Sequence, residues 1–152
     1  MKKSLVAAGL ALIMSAGFTL EAAAQARPAA LVKQRQAVMT LHGKYFYSLR
    51  PMADGKAPYD AAIFARNAAF LEVLSKMPWD GFTPATAGEK SATLPEAYSD
   101  AAKFKAAADN YQAEAAKFAA ATKGGNEQAV KTAYSAVAKA CDTCHDSFRA
   151  KP

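Results

Sequence analysis

The sequence predicts an all-α fold, and three observations support this prediction. Alanine, a strong helix former, is abundant, and no segment has the strict alternation of apolar and polar residues that marks a half-buried strand. Apolar residues recur instead at helical spacing in four segments, with proline and glycine between them. Four amphipathic helices with mostly short connections favour an antiparallel four-helix bundle.

The first part of the chain resembles a secretory signal peptide. Two lysines at positions 2–3 precede an apolar run over residues 5–20, and the Ala-Gln-Ala of residues 24–26 matches the pattern that signal peptidase cuts. The apolar run is shorter than the roughly 20 residues of a membrane-spanning helix. We therefore expect a cleaved leader over residues 1–26, no permanent membrane anchor, and a single exported domain over residues 27–152.

The expected mature chain is basic. Residues 27–152 contain 17 basic and 12 acidic residues, which gives a net charge of +5 with neutral histidines. This charge favours docking to an acidic partner, although an ordinary solvated surface also explains it. The basic residues are spread along the chain rather than clustered with aromatic residues, so we expect no nucleic-acid partner.

The first predicted helix covers residues 30–49, and we expect Pro51 to stop it. One broad stripe of this helix is mainly apolar, as expected for a face that packs in the bundle. The same stripe also carries Arg35, Met39 and His42. These three side chains are therefore predicted to point into the protein.

The second predicted helix covers residues 58–77, with a proline in its first turn. Asn67 is the polar exception on its inward face. Residues 79–92 contain two glycines and a proline and are predicted to form a long loop. We expect Trp79 and Phe82 of this loop to fold back over the core, where the tryptophan serves packing rather than catalysis.

The third predicted helix covers residues 93–122. Thr93 and Glu96 have the spacing of a capping box at its start, and the glycine pair at 124–125 closes it. Asn126 is a suitable N-cap for the fourth helix. This last helix carries the only two cysteines of the chain.

Cys141, Cys144 and His145 form the sequence C-x-x-C-H, the attachment motif for c-type haem. With 3.6 residues per turn, Cys144 and His145 lie roughly 60° and 40° from Cys141 on either side, so all three side chains leave one face of the helix. The thiols can add to the two haem vinyl groups, and the imidazole can then bind the iron. We predict one covalently attached haem c, with His145 as an iron ligand.

Other uses of the cysteine pair stay open at this point. A thioredoxin-like redox pair would need a βαβ context, which the helical pattern does not offer. A zinc site would need an unusual combination of the two cysteines with both histidines, His42 and His145. A plain disulfide is the remaining alternative, because an exported cysteine pair is labile unless it is paired or modified.

The mature chain resembles the class II cytochromes c, that is, cytochrome c′ and its low-spin relatives. The resemblance rests on a helical chain with C-x-x-C-H near its C-terminus, Arg35-Gln36 ahead of Met39, Pro58-Tyr59-Asp60 at the second helix, and Phe148-Arg149 after the motif. It implies an up-down-up-down four-helix bundle, for which cytochrome c′ is a known example. It also implies a bacterial protein of the periplasm, where c-type haem is assembled.

The resemblance places Met39 on the distal side of the haem. A thioether ligand there implies a low-spin iron with His145 and Met39 as axial ligands, which suits electron transfer. Some five-coordinate members of the family carry an unligated methionine at this place, and an open iron binds nitric oxide or carbon monoxide. His42, about 60° further round the helix, is another candidate ligand. We expect an electron carrier, with a gas-binding cytochrome c′ as the alternative.

The resemblance also suggests roles for two arginines. Arg35 would face a haem propionate, with a surface salt bridge as the alternative. Arg149 would lie near the proximal side of the haem, where it could tune the imidazole of His145; otherwise it is a cation that favours the helix dipole.

The sequence offers no acid/base group near the iron beyond His42, so we expect no enzyme. The expected partners are redox proteins and, for an open iron, small gases. Family members often pair through their first two helices, so a homodimer is a further expectation. The aromatic residues at 45–47 are compatible with it, and equally with packing in the core.

Overall fold

The computed structural model of the protein describes residues 27–151, and the predicted leader over residues 1–26 lies outside this range. Six α-helices occur in it: α1 Pro28–Tyr47, α2 Arg50–Ala53, α3 Ala61–Leu74, α4 Glu96–Ser99, α5 Ala101–Lys123 and α6 Glu127–Phe148. The only β interaction in the described range is a single bridge between Thr93 and Arg149. None of the described helices is long and apolar enough to cross a membrane.

The four long helices form the bundle. α1 packs on α3, α3 on α5, and α5 on α6. Aromatic side chains fill the space between them: Phe64 and Phe118 are fully buried, and the ring of Phe46 stacks on that of Tyr134 with centroids 4.3 Å apart. The predicted all-α four-helix bundle is confirmed.

The predicted end of the first helix is wrong by a few residues. α1 ends at Tyr47, and Pro51 does not stop a helix but lies in the first turn of the short α2. A proline fits this place because the first turn of a helix leaves its N–H groups without intrahelical partners. Leu49, between the two helices, is fully buried.

The second helix starts later and ends earlier than the predicted 58–77. It begins at Ala61 because Asp60 is its N-cap, with a carboxylate oxygen that accepts a hydrogen bond of 3.0 Å from the Ile63 N–H. Pro58 therefore precedes the helix rather than lying in its first turn. The helix ends at Leu74, and Met77 lies beyond it with 49% of its surface exposed.

Asn67 lies on the buried face of α3, as predicted, with 2% of its surface exposed. Its amide group donates to the carbonyl oxygen of Tyr45 at 3.1 Å and to the hydroxyl oxygen of Ser48 at 2.9 Å. Buried polar groups are stable when hydrogen-bonded, and these two bonds fix the end of α1 against α3. Asn67 is thus a hydrogen-bonded clamp between α1 and α3.

The predicted capping box at Thr93 is wrong. The backbone around Thr93 pairs instead with the chain after α6: Leu94 donates to the carbonyl of Phe148 at 2.9 Å, and Ala150 donates to that of Ala92 at 2.8 Å. The helical region therefore starts with the short α4. The long α5 then begins after Asp100, whose carboxylate accepts a hydrogen bond from Lys103 N–H.

The predicted boundary between the third and fourth helices is confirmed. Gly124 is the C-cap of α5, and Gly125 has a φ of 70°, a left-handed conformation that glycine adopts without strain. The side chain of Asn126 accepts a hydrogen bond of 3.0 Å from the Ala129 N–H, as an N-cap does.

The predicted loop over residues 79–92 contains two single 3₁₀ turns. The ring of Trp79 packs near those of Phe82, Phe104 and Tyr111, and its N–H donates to the carbonyl of Ser75 at 2.6 Å. The packing role predicted for Trp79 agrees with these contacts.

Replacing Asn67 by alanine should lower the free energy of unfolding by about 2 kcal/mol, because the buried amide and its two hydrogen bonds to Tyr45 and Ser48 are lost. Urea unfolding of the haem-loaded protein measures the change. The exposed Asn110 on α5 provides a matched control, and Asn110→Ala should change stability by less than about 0.5 kcal/mol. Equal effects of the two substitutions would contradict the clamp.

Candidate functional site

The residues singled out in the sequence meet at one cavity of about 500 Å³. Its walls come from α1, α5, α6 and the loop over residues 79–93. The volume is within the roughly 300–1,000 Å³ typical of sites for cofactors and small molecules. The predicted site residues that line it are Arg35, Met39, Cys141, Cys144, His145 and Arg149.

Cys141 and Cys144 both line the cavity, and both are half-buried free thiols. Burial, with smaller contributions from Asp142 and Cys144, raises the pKa of Cys141 to about 12. Burial also raises the pKa of Cys144. Two neutral thiols on one turn of α6 therefore face a mainly apolar space, and no disulfide joins them.

The zinc alternative gains no support from the structure. Within residues 27–151, no three His, Cys, Asp or Glu side chains come close enough together to hold a metal ion.

His145 is half-buried on the same wall of the cavity. Burial lowers the pKa of its imidazole, the positive charge of Arg149 lowers it further, and Asp142 and Asp146 act in the opposite direction. The net effect favours the neutral imidazole, which is the form that binds a metal ion. Arg149 itself is exposed and lies at the end of α6.

Met39 lies half-buried on the wall that α1 contributes. This wall is separate from the one that carries Cys141, Cys144 and His145. The thioether is a soft, flexible group that suits either metal binding or the filling of apolar space.

Arg35 is one of the most buried residues of this wall, with 3% of its surface exposed. Its guanidinium donates to the carbonyl of Gly81 at 2.7 Å and to the hydroxyl oxygen of Thr86 at 3.2 Å. It also donates to the hydroxyls of Ser91 and Thr93, both at 3.3 Å. A surface salt bridge, the alternative for this arginine, is therefore wrong.

The guanidinium of Arg35 also lies over the ring of Phe82, with 4.2 Å from its carbon to the ring centroid. All four hydrogen-bond acceptors are neutral oxygens. A buried cation with only neutral partners still attracts a negative group. The site therefore combines mainly apolar walls with a buried positive charge whose hydrogen-bond partners are all neutral.

Thr86 is a part of this site that the sequence analysis missed. It is fully buried, its hydroxyl lies 2.8 Å from the carbonyl oxygen of Thr83, and it accepts a hydrogen bond from Arg35. Its role depends on contacts with distant segments, and no local pattern in the sequence indicates it.

His42 lies on the α1 wall with 8% of its surface exposed. Its Nδ1 is 2.9 Å from the carbonyl oxygen of Val38, and its ring packs edge-on against Tyr111 with centroids 5.4 Å apart. Burial lowers the pKa of His42 more than the hydrogen bond to Val38 raises it. Its Nε2 is buried and has no hydrogen-bond partner among the described residues.

These features fit a covalently attached haem. Two thiols and an imidazole leave one helical turn toward an apolar, aromatic-lined space of suitable volume. The buried cation of Arg35 offers a partner for a carboxylate.

The comparisons with known proteins agree with this fit. The family model described as Cytochrome C' matches residues 30–149. The chain is 40% identical to cytochrome c′ of Rubrivivax gelatinosus over 126 residues, which are 82% of this chain and 98% of the relative. It is 38% identical to cytochrome c′ of Alcaligenes xylosoxydans xylosoxydans, again over 126 residues, with 83% and 98% covered.

The solved structures give the same result. The crystal structure of cytochrome c′ from Rubrivivax gelatinosus superposes with a TM-score of 0.77 over 81% of this chain and 97% of that one. A nitric oxide complex of a variant cytochrome c prime from Alcaligenes xylosoxidans, 38% identical, has a TM-score of 0.77 over 83% and 98%. The described fold, the matched family and the cavity thus agree, and the chain belongs to the cytochrome c′ family, with one covalently attached haem c as its cofactor.

Proposed function

We propose that this chain is an exported, periplasmic cytochrome c′ that binds nitric oxide or carbon monoxide at an open iron position. The main support comes from cytochrome c prime of Alcaligenes xylosoxidans, which is 38% identical to this chain over nearly its whole length. One variant of that protein forms a complex with nitric oxide, and another binds carbon monoxide. An electron carrier with two axial ligands, which the sequence analysis expects, is therefore the second candidate function. The proposed role is ligand binding rather than catalysis.

Cys141 and Cys144 are the proposed attachment points of the haem, and His145 is the proposed ligand on the proximal side. The haem supplies an iron that changes between ferrous and ferric states and accepts a small ligand. The protein's part is to keep the imidazole of His145 neutral, which its burial and the nearby charge of Arg149 favour. The lining of the cavity is mainly apolar, which suits contact with a porphyrin ring.

Arg35 is the proposed partner of a haem propionate. Its positive charge is buried, and its hydrogen bonds reach only neutral oxygens. A carboxylate would provide the missing negative charge, and a guanidinium binds carboxylates well. The same residue holds the loop over residues 81–93 in place, so it would position both the loop and the cofactor.

The second candidate is a low-spin electron carrier with His145 and Met39 as axial ligands. The observation in its favour is that both side chains line one cavity from two different walls. An axial thioether would favour the ferrous iron and raise the reduction potential. In either case, the redox partner and a homodimer stay predictions.

Visible spectra of the haem-loaded mature chain separate the two candidates. A high-spin ferrous spectrum that shifts with near-stoichiometric carbon monoxide is expected, because the sixth position is open. Met39→Ala should keep the high-spin spectrum and bind carbon monoxide at least as tightly, since no iron bond is lost. The exposed Met77 supplies the control Met77→Ala. Sharp low-spin bands that do not change when carbon monoxide is added, and that are absent in Met39→Ala, would instead favour the electron carrier.

Arg35→Gln should lower the reduction potential of the haem by tens of millivolts. Removal of a nearby cation favours the more positive ferric iron by on the order of 1 kcal/mol. Redox titration measures the shift, and Arg50→Gln is the control, because Arg50 is exposed and pairs with Asp54 on the surface. If both substitutions gave the same small shift, Arg35 would not lie beside the haem.

A further inference from the structure

The hydroxyl groups of Ser91 and Thr93 have hydrogen-bond donors that the proposed function does not use. Both residues line the cavity, both are half-buried, and each hydroxyl oxygen accepts a hydrogen bond of 3.3 Å from Arg35. Neither hydroxyl donates its own hydrogen to an acceptor among residues 27–151. Two O–H donors are therefore available at the wall of the cavity.

The two hydroxyls lie on the same side of the loop, because both accept from one nitrogen, Nη2 of Arg35. The N–H of Thr93 also donates to the hydroxyl oxygen of Ser91 at 3.3 Å. The β bridge between Thr93 and Arg149 ties this part of the loop to the end of α6. The hydroxyls thus form a positioned pair beside a positive charge.

The hydrogen bonds of Arg35 determine how its charge reaches a negative group. A guanidinium has four hydrogens on its two terminal nitrogens and one on Nε. Nη1 donates to Gly81 and Thr86, and Nη2 donates to Ser91 and Thr93. Each of the four terminal hydrogens therefore has a protein acceptor. A carboxylate that pairs with two nitrogens of Arg35 would have to displace one of these acceptors.

The charged residues of the cavity wall favour an anion at this place. Among the described residues that line the cavity, Arg35 and Arg149 carry a permanent positive charge, and none is an aspartate or a glutamate. Arg149 is the bridge partner of Thr93, so both arginines belong to segments that adjoin the hydroxyl pair. The propionates are the negative groups that a haem brings to such a wall.

We propose that Ser91 and Thr93 are binding residues for a haem propionate, and that Arg35 acts on this propionate through them. Each hydroxyl accepts from the guanidinium with its oxygen and donates its hydrogen to the carboxylate. A hydroxyl that accepts from a cation is polarised and becomes a stronger donor. The inference rests on the proposed function, since it needs a propionate beside Arg35, and it names the groups that contact that carboxylate.

Resonance Raman spectra of the haem-loaded protein test the inference, because the bending band of a haem propionate moves to lower frequency when the carboxylate loses hydrogen bonds. Ser91→Ala and Thr93→Val each remove one O–H donor, and each should lower the frequency of this band. The double variant should lower it further. If the double variant does not incorporate haem, the two single variants decide.

The reduction potential gives a second measurement. A carboxylate that has lost two donors keeps more negative charge, which favours the ferric iron. In the double variant, the ratio of ferrous to ferric protein at a fixed potential should fall about twofold, which is about 18 mV for a one-electron couple.

Matched variants keep the result specific to the two hydroxyls. Thr93→Ser keeps the hydroxyl and should keep the propionate band of the wild-type protein. Thr132 and Ser135 are exposed on α6, and their hydroxyls donate only to carbonyl oxygens of the same helix. Thr132→Val and Ser135→Ala should therefore leave the band and the potential unchanged.

Two outcomes would overturn the inference. An unchanged band in the double variant, together with a shifted band in Arg35→Gln, would mean that Arg35 binds the propionate directly. Equal shifts in Thr93→Val and Thr93→Ser would mean that the side chain acts by its shape. An unchanged band and potential in Arg35→Gln would instead refute the role that the proposed function gives Arg35. Failure to bind carbon monoxide would refute gas binding and leave the propionate contacts as they are.

Discussion

The buried charge of Arg35 is the constraint on which the site depends. A guanidinium with 3% exposure is stable only if its donors are satisfied, and the chain provides four neutral oxygens from a segment that is otherwise irregular. Residues 79–93 have little regular secondary structure of their own, so their path over the cavity follows from where these acceptors must lie. One side chain of α1 thereby shapes the wall that faces the cofactor.

The same segment is also fixed from its other side. Two backbone hydrogen bonds join residues 92–94 to the chain directly after α6, which is the helix that carries the haem motif. The loop is thus held between α1 and the end of α6. Movement of the motif helix along its axis would strain this connection, so the thiols and the imidazole keep their place relative to Arg35. Hydrogen bonds thus tie the loop wall of the site to helices on both of its sides.

Much of this arrangement could be predicted from the sequence, because the patterns that indicate it involve residues close together in the chain. The C-x-x-C-H spacing, the helical periodicity of α6, and the cap residues Gly125 and Asn126 each act within a few residues. Thr93 was misjudged because its local capping pattern competes with a backbone partner 56 positions away, at Arg149. The partners of Arg35 likewise depend on contacts between distant segments.

The raised pKa of the cysteine thiols has a consequence for the order of biosynthetic events. A thiol attacks as its thiolate, and burial in the closed bundle disfavours that form of both cysteines. The closed bundle therefore lowers the reactivity of its own cysteines toward the vinyl groups. Thiols that are exposed before α6 docks keep an ordinary pKa, so the chemistry of the two thiols favours haem attachment before the last helix packs.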